Sequence, residues 1–236
     1  MATIIPINAN KNTSEKPELN EAVGEFIYRN RKRFIYGIAL IGAATLCFIA
    51  SFAIRDYIRS RNLIAFEALH DRYDELRYYT QDSSKAAEVE ALLLDLQAFA
   101  QKTGGYSGAR SFMLVAAIHS DRENWEEAEN AWVSAAKKNM KIYLAPIALF
   151  NAGVAAEEAG KTDQALAHYQ AVLAYPDDFP LCARAQFSIG RLQEEAKGDT
   201  EAALDAYRQL LEKYPTESLW TSLANSKIIA LAGSQY

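Results

Sequence analysis

Cysteine and histidine are scarce in this chain, and their positions exclude several kinds of site. Its 236 residues include two cysteines and three histidines. Cys47 lies in a long apolar run and Cys182 lies far from it in a helical repeat. A disulfide between them would have to join the apolar run to the folded domain. Neither cysteine has a partner at zinc-ligand spacing, and His70, His119 and His168 are scattered along the chain. We therefore expect no disulfide and no metal site.

Basic charge is also in short supply. The 25 Lys and Arg residues are outnumbered by 30 Asp and Glu residues, so no basic face can neutralise a phosphate backbone and nucleic-acid binding is not expected. The sequence contains no glycine-rich phosphate loop and no nucleophile elbow. The carboxylate pairs Glu157–Glu158 and Glu194–Glu195 could suggest acid–base chemistry, but a solvated helix face explains them more simply. The chain is therefore expected neither to be an enzyme nor to need a cofactor.

What the chain does contain is one long uncharged run at residues 34–54, FIYGIALIGAATLCFIASFAI. A helix of this length spans about 30 Å, the thickness of a bilayer's hydrocarbon core. A cleaved signal peptide would place Ser51 and Ala53 at the cleavage site, but the run is too long for one and 33 residues precede it. Basic residues mark both ends of the run: Arg29, Arg31, Lys32 and Arg33 before it and Arg55 after it. The pattern predicts a single membrane-spanning helix.

The basic residues also favour one orientation. Four of them flank the run closely on its N-terminal side, and three flank it on the other side, where Asp56 offsets one. The positive-inside rule then places the N-terminus in the cytoplasm and the following domain outside. Residues 1–16 are expected to form a flexible tail, and residues 17–33 an amphipathic, basic juxtamembrane segment whose helix starts at Pro17. This segment is either an interfacial helix on the lipid surface or a docking element for a membrane partner.

Internal repetition dominates the rest of the chain. A small residue and an aromatic residue four positions later recur with periods of 37 and 38 residues, at Ala128/Trp132, Ala165/Tyr169 and Ala203/Tyr207, and each pair is preceded by one of Ala116, Gly153 and Gly190. Small side chains let the two helices of a hairpin approach closely, and the aromatic is expected to fill the gap towards the next hairpin. Prolines such as Pro176 and Pro215 prevent the helices from continuing.

These periods predict an all-α fold, a single transmembrane helix followed by a solenoid of helix hairpins. Residues 55–103 are expected to form a first helix pair, 104–216 three repeats, and 217–236 a capping helix over the open end. The small, aromatic and proline positions resemble the tetratricopeptide repeat over residues 109–215, although the period exceeds the family's roughly 34 residues and the usual Trp early in the first helix is absent. That resemblance implies a module that binds other proteins.

The order of segments carries a second resemblance. A short acidic-to-basic tail, one membrane helix, a helix pair and then repeats resemble the bacterial inner-membrane ancillary subunit of the Sec translocon. The matching stretches are Glu21–Val23 with Phe26 and Asn30, and Tyr106 with Ala109–Ser111. The resemblance implies a single-pass inner-membrane protein with a cytoplasmic N-terminus and a periplasmic repeat domain. It further implies association with the Sec channel and periplasmic chaperones, and holding of newly exported polypeptides.

Hairpin geometry predicts a binding surface on the concave face, formed by the first helix of each repeat. The candidate residues are Arg110, Met113, Phe150, Asn151, Val154, Phe187 and Arg191. The row mixes apolar and basic groups, which suits an extended segment with apolar side chains and some acidity. Alternatively, Met113, Phe150 and Phe187 simply pack between helices.

The sequence thus favours a membrane-tethered adaptor for other proteins, held in the bilayer by one helix. A stoichiometric structural scaffold of an envelope complex is the main alternative, followed by a cytosol-facing receptor and, last, an enzyme acting on envelope substrates.

Overall fold

The computed structural model describes residues 19–138, 143–176 and 179–233, with the side chains of residues 19–22 and 83 excepted. The predicted flexible tail at 1–16, Pro17 and the turn residues Asp177 and Asp178 lie outside the described residues. Within these ranges every regular element is helical and no strand occurs, so the predicted all-α class is confirmed. The chain divides into two compact units, Met1–Arg59 and Ser60–Tyr236.

The first unit contains helix α1 (Leu19–Arg29) and the first part of helix α2 (Arg31–Leu76). The predicted spanning segment, residues 34–54, lies wholly inside α2, and its apolar side chains face outward, with Leu40 73 % exposed. This stretch is long and apolar enough to cross a membrane. An outward-facing apolar surface along a helix is compatible with a lipid environment, and thus with a single-pass anchor.

The second unit is a series of helix hairpins. After α2, two short 3₁₀ turns at Arg77–Tyr79 and Ser83–Lys85 lead to α3 (Ala86–Lys102). Three hairpins follow, built from α4 (Gly105–Asp121) and α5 (Trp125–Lys138), α6 (Leu144–Glu158) and α7 (Thr162–Val172), and α8 (Leu181–Glu195) and α9 (Thr200–Lys213). The last helix, α10 (Ser218–Gly233), packs against α8 and α9.

The turns inside the hairpins share one backbone feature. Gly160 and Gly198, at equivalent positions of the second and third hairpins, have φ angles of 72° and 66°. The first hairpin places Glu123 there with φ 60°, a left-handed conformation that L-residues adopt at a cost. In the third hairpin the Asp199 side chain also caps α9, because its Oδ1 accepts a hydrogen bond from the Ala202 N–H at 3.0 Å.

Apolar packing follows the order of the helices. One cluster joins α2, α3 and α4 around Phe66 and Leu92, a second joins α4, α5 and α6 around Ala135, and a third extends from α6 to α10. Cys182 is fully buried in the third cluster, with its Sγ 3.5 Å from the Pro176 carbonyl oxygen. The apolar packing therefore continues from each hairpin to the next, as in other solenoids.

Two of the repeated aromatic residues pack against a glycine of their own hairpin. A Cβ added at Gly153 would lie 2.6 Å from Cε1 of Tyr169, and one added at Gly190 would lie 2.6 Å from Cε1 of Tyr207. Each ring thus lies against the glycine of its own hairpin. The missing glycine side chain leaves the space that each of these two rings occupies within its own hairpin.

Candidate binding surface on the first helices of the hairpins

The predicted row of binding residues lies on α4, α6 and α8, and the structure divides it by accessibility. Met113 and Phe150 are buried, at 9 % and 3 % exposed, inside the apolar clusters between helices. Arg110, Asn151, Val154, Phe187 and Arg191 are half-buried. In this structure the two buried residues contribute packing, and the half-buried ones remain within reach of a partner.

An arginine–aromatic cluster lies at the C-terminal end of this row and consists of Arg184, Phe150, Phe187 and Trp220. The Arg184 guanidinium carbon lies 4.6 Å from the ring centroid of Phe150 and 5.9 Å from that of Trp220. Phe187 packs against the Trp220 ring at 5.5 Å between centroids. Arg184 itself is exposed, and the ion pairs found in the described ranges do not include it. A stacked guanidinium keeps its edge donors available, so this cluster can receive an acidic group beside an apolar one.

Arg110 repeats part of this arrangement at the other end of the row. Its guanidinium carbon lies 6.0 Å from the Phe66 ring centroid, and its Nε is buried without a hydrogen-bond partner among the described residues. Asn151 is less available, because its Nδ2 donates to the Ile147 carbonyl oxygen at 2.9 Å. The arginines thus provide the polar character of this row.

A second polar feature links the second hairpin to the third and the third hairpin to α10. Tyr169 donates a hydrogen bond to Glu157 at 2.8 Å, and Arg191 of the following hairpin pairs with the same carboxylate. One repeat later, Tyr207 donates to Glu194 at 2.9 Å and Lys227 pairs with Glu194 at 3.0 Å. We call each set of three residues a Tyr–Glu–cation bridge. Burial, together with the neighbouring glutamate, raises the pKa of both tyrosines well above the usual phenol value, so they stay neutral donors.

These bridges correct one sequence expectation. Glu157 and Glu194 were expected to belong to a solvated helix face, yet both are partly buried and bound by two partners each. Glu158, by contrast, is exposed. The repeated spacing of these glutamates is a usable sequence signal, but their partners come from other helices and cannot be identified from local pattern alone. Arg191 is therefore committed to an inter-hairpin bridge as well as lying on the predicted row.

The link between the first two clear repeats uses a different buried carboxylate. Glu129 on α5 is 8 % exposed. It contacts His168 Nε2 on α7 at 2.9 Å and Nζ of Lys161, the residue directly before α7, at 3.4 Å. Lys161 also reaches Glu126 at 2.8 Å. A buried carboxylate needs such partners to offset its lost hydration. His168 therefore packs against α5 and shares a close polar contact with Glu129.

The basic residues predicted to flank the membrane segment lie on two helices. Arg29 ends α1, Arg31, Lys32 and Arg33 begin α2, and Arg55 lies further along α2. Arg31 stacks on the Tyr28 ring at 5.0 Å, and an open cavity is lined by Arg29, Arg31, Lys32 and Arg33 together with Phe26, Tyr28 and Asn30. Arg55 is exposed on α2, directly after the apolar run. Basic groups at both ends of an apolar helix are typical of membrane-interface anchors.

Comparisons with known proteins support the repeat assignment. A family model described as tetratricopeptide repeat matches residues 116–178 and 157–218. A "TPR repeat-containing protein" of Treponema pallidum (strain Nichols) is 39 % identical over 152 residues, which cover 64 % of this chain and 62 % of that protein. The chain thus matches about three fifths of the relative's length.

One solved structure, titled "MamA RS-1 ArsTM double mutant", is 16 % identical, covers 70 % of this chain and 97 % of its own, and has a TM-score of 0.41. None of these matches is named as a Sec translocon subunit.

Proposed function

We propose that this chain is a membrane-anchored adaptor that holds segments of other proteins on the face formed by α4, α6 and α8. Tetratricopeptide repeats indicate protein–protein interaction, and the arginine–aromatic cluster around Arg184 is the observation that carries the proposal. The exposed guanidinium, stacked on Phe150 and Trp220, suits an extended segment that presents a carboxylate next to an apolar side chain.

The preferred site of action is the periplasmic face of a bacterial inner membrane, beside the protein-export channel and its chaperones. The apolar part of α2 and its basic flanks support an anchor with the N-terminus in the cytoplasm. An anchor would confine the repeats to the membrane surface and raise their effective concentration near embedded partners. Contacts with exported clients could then be weak and still be populated.

Topology is the first test of this placement. A periplasm-dependent phosphatase fused after Tyr236 should be active in intact cells, and a fusion to the N-terminus should be inactive. The reverse pattern would exclude the periplasmic adaptor and favour a cytosol-facing receptor.

The binding face is tested by reversing one charge. Arg184→Glu should weaken recovery of partners from mildly solubilised membranes about tenfold, equivalent to about 1.4 kcal/mol. Arg208→Glu is the matched control, because Arg208 is an exposed arginine on α9, away from the cluster. Equal recovery with both variants would remove this face from the proposal.

The identity and stoichiometry of the recovered proteins distinguish an adaptor from a structural scaffold. Substoichiometric export-channel subunits, chaperones and diverse exported proteins are expected for an adaptor. A single stoichiometric set of other envelope proteins would instead identify a structural scaffold, since a scaffold subunit stays bound through purification while clients exchange.

A further inference from the structure

Two arginines on the face formed by α4, α6 and α8 occupy equivalent positions of their helices. Arg110 lies six residues before Ala116, and Arg184 lies six residues before Gly190. The ion pairs of the described residues, including those between neighbouring hairpins, involve neither arginine. The first and third hairpins therefore each place an unneutralised positive charge at the same point of this face.

Each of the two guanidinium groups lies over an aromatic ring of an earlier helix. The guanidinium carbon of Arg184 is 4.6 Å from the ring centroid of Phe150, and that of Arg110 is 6.0 Å from the ring centroid of Phe66. Arg110 is half-buried, and its Nε is enclosed without an acceptor among the described residues. Partial burial costs a charged group part of its hydration, which a bound carboxylate offsets. The stacked, planar groups thus provide two fixed points for carboxylate recognition.

The equivalent position on the middle helix is apolar. Ile147 on α6 lies six residues before Gly153, is half-buried, and packs against the apolar cluster around Ala135. Val154, two turns further along α6, is also half-buried. From α4 to α8 the face therefore presents a positive charge, an apolar surface and a second positive charge.

The distance between the two arginines sets the spacing of the groups that they can bind together. Helix α4 packs against α6, and α6 packs against α8. The axes of packed helices lie about 8–10 Å apart, so equivalent positions on α4 and α8 are roughly 16–20 Å apart. An extended chain advances about 3.3 Å per residue and turns every second side chain to the same side. A separation of six residues, about 20 Å, reaches both arginines from one side of the chain, whereas four residues, about 13 Å, are too short.

We propose that this face selects an internal extended segment with two carboxylates six residues apart and apolar side chains between them. One carboxylate pairs with Arg110 and the other with Arg184, while the side chains at the intervening alternate positions lie against Ile147 and Val154. The proposal rests on the adaptor function and adds to it a sequence pattern that a bound client carries. A segment with a single carboxylate engages only one arginine and is held more weakly.

Peptide binding by the full chain in lipid nanodiscs tests this spacing. The matched probe is a short fluorescein-labelled peptide with blocked ends, glutamates at its third and ninth positions, leucines at its fifth and seventh, and serine or glutamine elsewhere. The comparison peptide has the same composition, but its second glutamate is moved to the sixth position, which faces the opposite side of an extended chain. Fluorescence anisotropy should show at least tenfold tighter binding of the matched peptide.

Each arginine should act through one glutamate of the matched peptide. Arg110→Gln and Arg184→Gln should each weaken its binding about fivefold, whereas Arg208→Gln, at an exposed arginine on α9, should leave it unchanged. Replacing one glutamate of the peptide with glutamine should remove the effect of one of the first two substitutions and preserve the effect of the other.

Exchange of charges guards against a folding defect in these variants. Arg184→Glu should bind a peptide with lysine in place of the glutamate that pairs with Arg184 more tightly than it binds the matched peptide. A misfolded variant would bind neither peptide, so this rescue separates lost recognition from lost structure. Absence of the rescue in a folded Arg184→Glu protein would reject the pairing.

The remaining outcomes distinguish this proposal from the adaptor function on which it rests. Equal affinity for the two peptides, or no binding of either, would overturn the spacing; if Arg184→Glu still lowered partner recovery from membranes, the adaptor function would stand without it. Loss of that difference in recovery as well would remove both. Binding of the matched peptide that is insensitive to Arg110→Gln and Arg184→Gln would place the peptide on another surface and equally reject the proposal.

Discussion

At the scale of single residues, the second and third hairpins each depend on close packing between a glycine and a tyrosine ring. Gly190 on α8 and Tyr207 on α9 leave no room for a side chain at the glycine, and Tyr207 is fully buried. The small and aromatic positions were identifiable from sequence because their spacing repeats. Which surfaces they bring together was not identifiable, because an aromatic at this spacing can contact its own hairpin, the next one or both, and spacing alone does not show which.

Gly190→Ala should destabilise the protein by about 1–3 kcal/mol, because the new methyl group overlaps the Tyr207 ring and forces it to move. Urea unfolding of the detergent-solubilised chain, followed by the fluorescence of its three tryptophans, measures the change. Gly104→Ala is the control, since a Cβ at Gly104 meets nothing within 4 Å. A stable Gly190→Ala protein would show that the ring has more freedom than its burial implies.

Glu123 offers a residue-scale change in the opposite direction. Its φ of 60° places it in the left-handed region that glycine occupies in the two later hairpins, so Glu123→Gly should raise the free energy of unfolding by up to about 1 kcal/mol. Glu123→Ala removes the same carboxylate but keeps the strain, and should not stabilise. The measurement is the melting temperature of each variant compared with that of the parent. Equal melting temperatures would contradict the backbone explanation.

At the scale of elements, α10 is held to the repeats by apolar packing around the buried Ala224 and by aromatic and ionic contacts. Trp220 packs against Phe187, and Lys227 pairs with Glu194 and Glu195. The sequence indicated a capping helix here from its apolar residues. It did not indicate that Lys227 belongs to a repeating bridge, because its partner Glu194 lies 33 residues away on another helix.

Trp220→Ala should loosen α10 selectively. Removing a half-buried tryptophan costs about 1–3 kcal/mol, somewhat less than for a fully buried one, so amide hydrogen exchange in α10 should accelerate tenfold or more while exchange in α4 and α5 stays unchanged. Lys227→Met should have a smaller effect, because partly exposed ion pairs contribute about 1 kcal/mol or less. Faster exchange throughout the chain would mean that α10 is not a local element but part of one cooperative unit.

At the scale of the whole molecule, stability depends on contacts between successive helices, and a buried histidine makes one of these contacts sensitive to acid. His119 on α4 is 8 % exposed, and its Nδ1 has no hydrogen-bond partner among the described residues. Burial lowers the pKa of its imidazole; the charges of Glu127 and Glu90 oppose this shift, and that of Arg122 reinforces it. The folded state therefore binds this proton less readily than the unfolded state.

Acidification should therefore lower the stability of the folded protein. As the pH falls below about 6.5, the usual imidazole pKa, the unfolded state takes up the proton first and the free energy of unfolding decreases. Because one group is involved, the slope is at most about 1.4 kcal/mol per pH unit. His119→Leu should lose this component, so the difference in urea-unfolding free energy between parent and variant should change between pH 7.5 and 5. A constant difference would show that His119 does not contribute to acid sensitivity.

The overall architecture was the most predictable level. A repeat of 37–38 residues and an uncharged run of membrane length both act over many residues, so local exceptions do not hide them. The binding row was less predictable, since Met113 and Phe150 share its helical spacing but are buried. Helical period shows which residues share a face, whereas the position of the next hairpin determines which part of that face remains open.

The buried thiol of Cys182 gives the protein an internal reporter of its own opening. A thiol reagent in water can reach its Sγ only when the packing around the beginning of α8 separates, because the side chain is fully buried beside the Pro176 carbonyl. The other cysteine, Cys47, lies in the apolar part of α2, so a charged, membrane-impermeant reagent would react slowly with it in a bilayer. The labelling rate of the native chain would therefore measure how often the repeats part from one another, without any substitution.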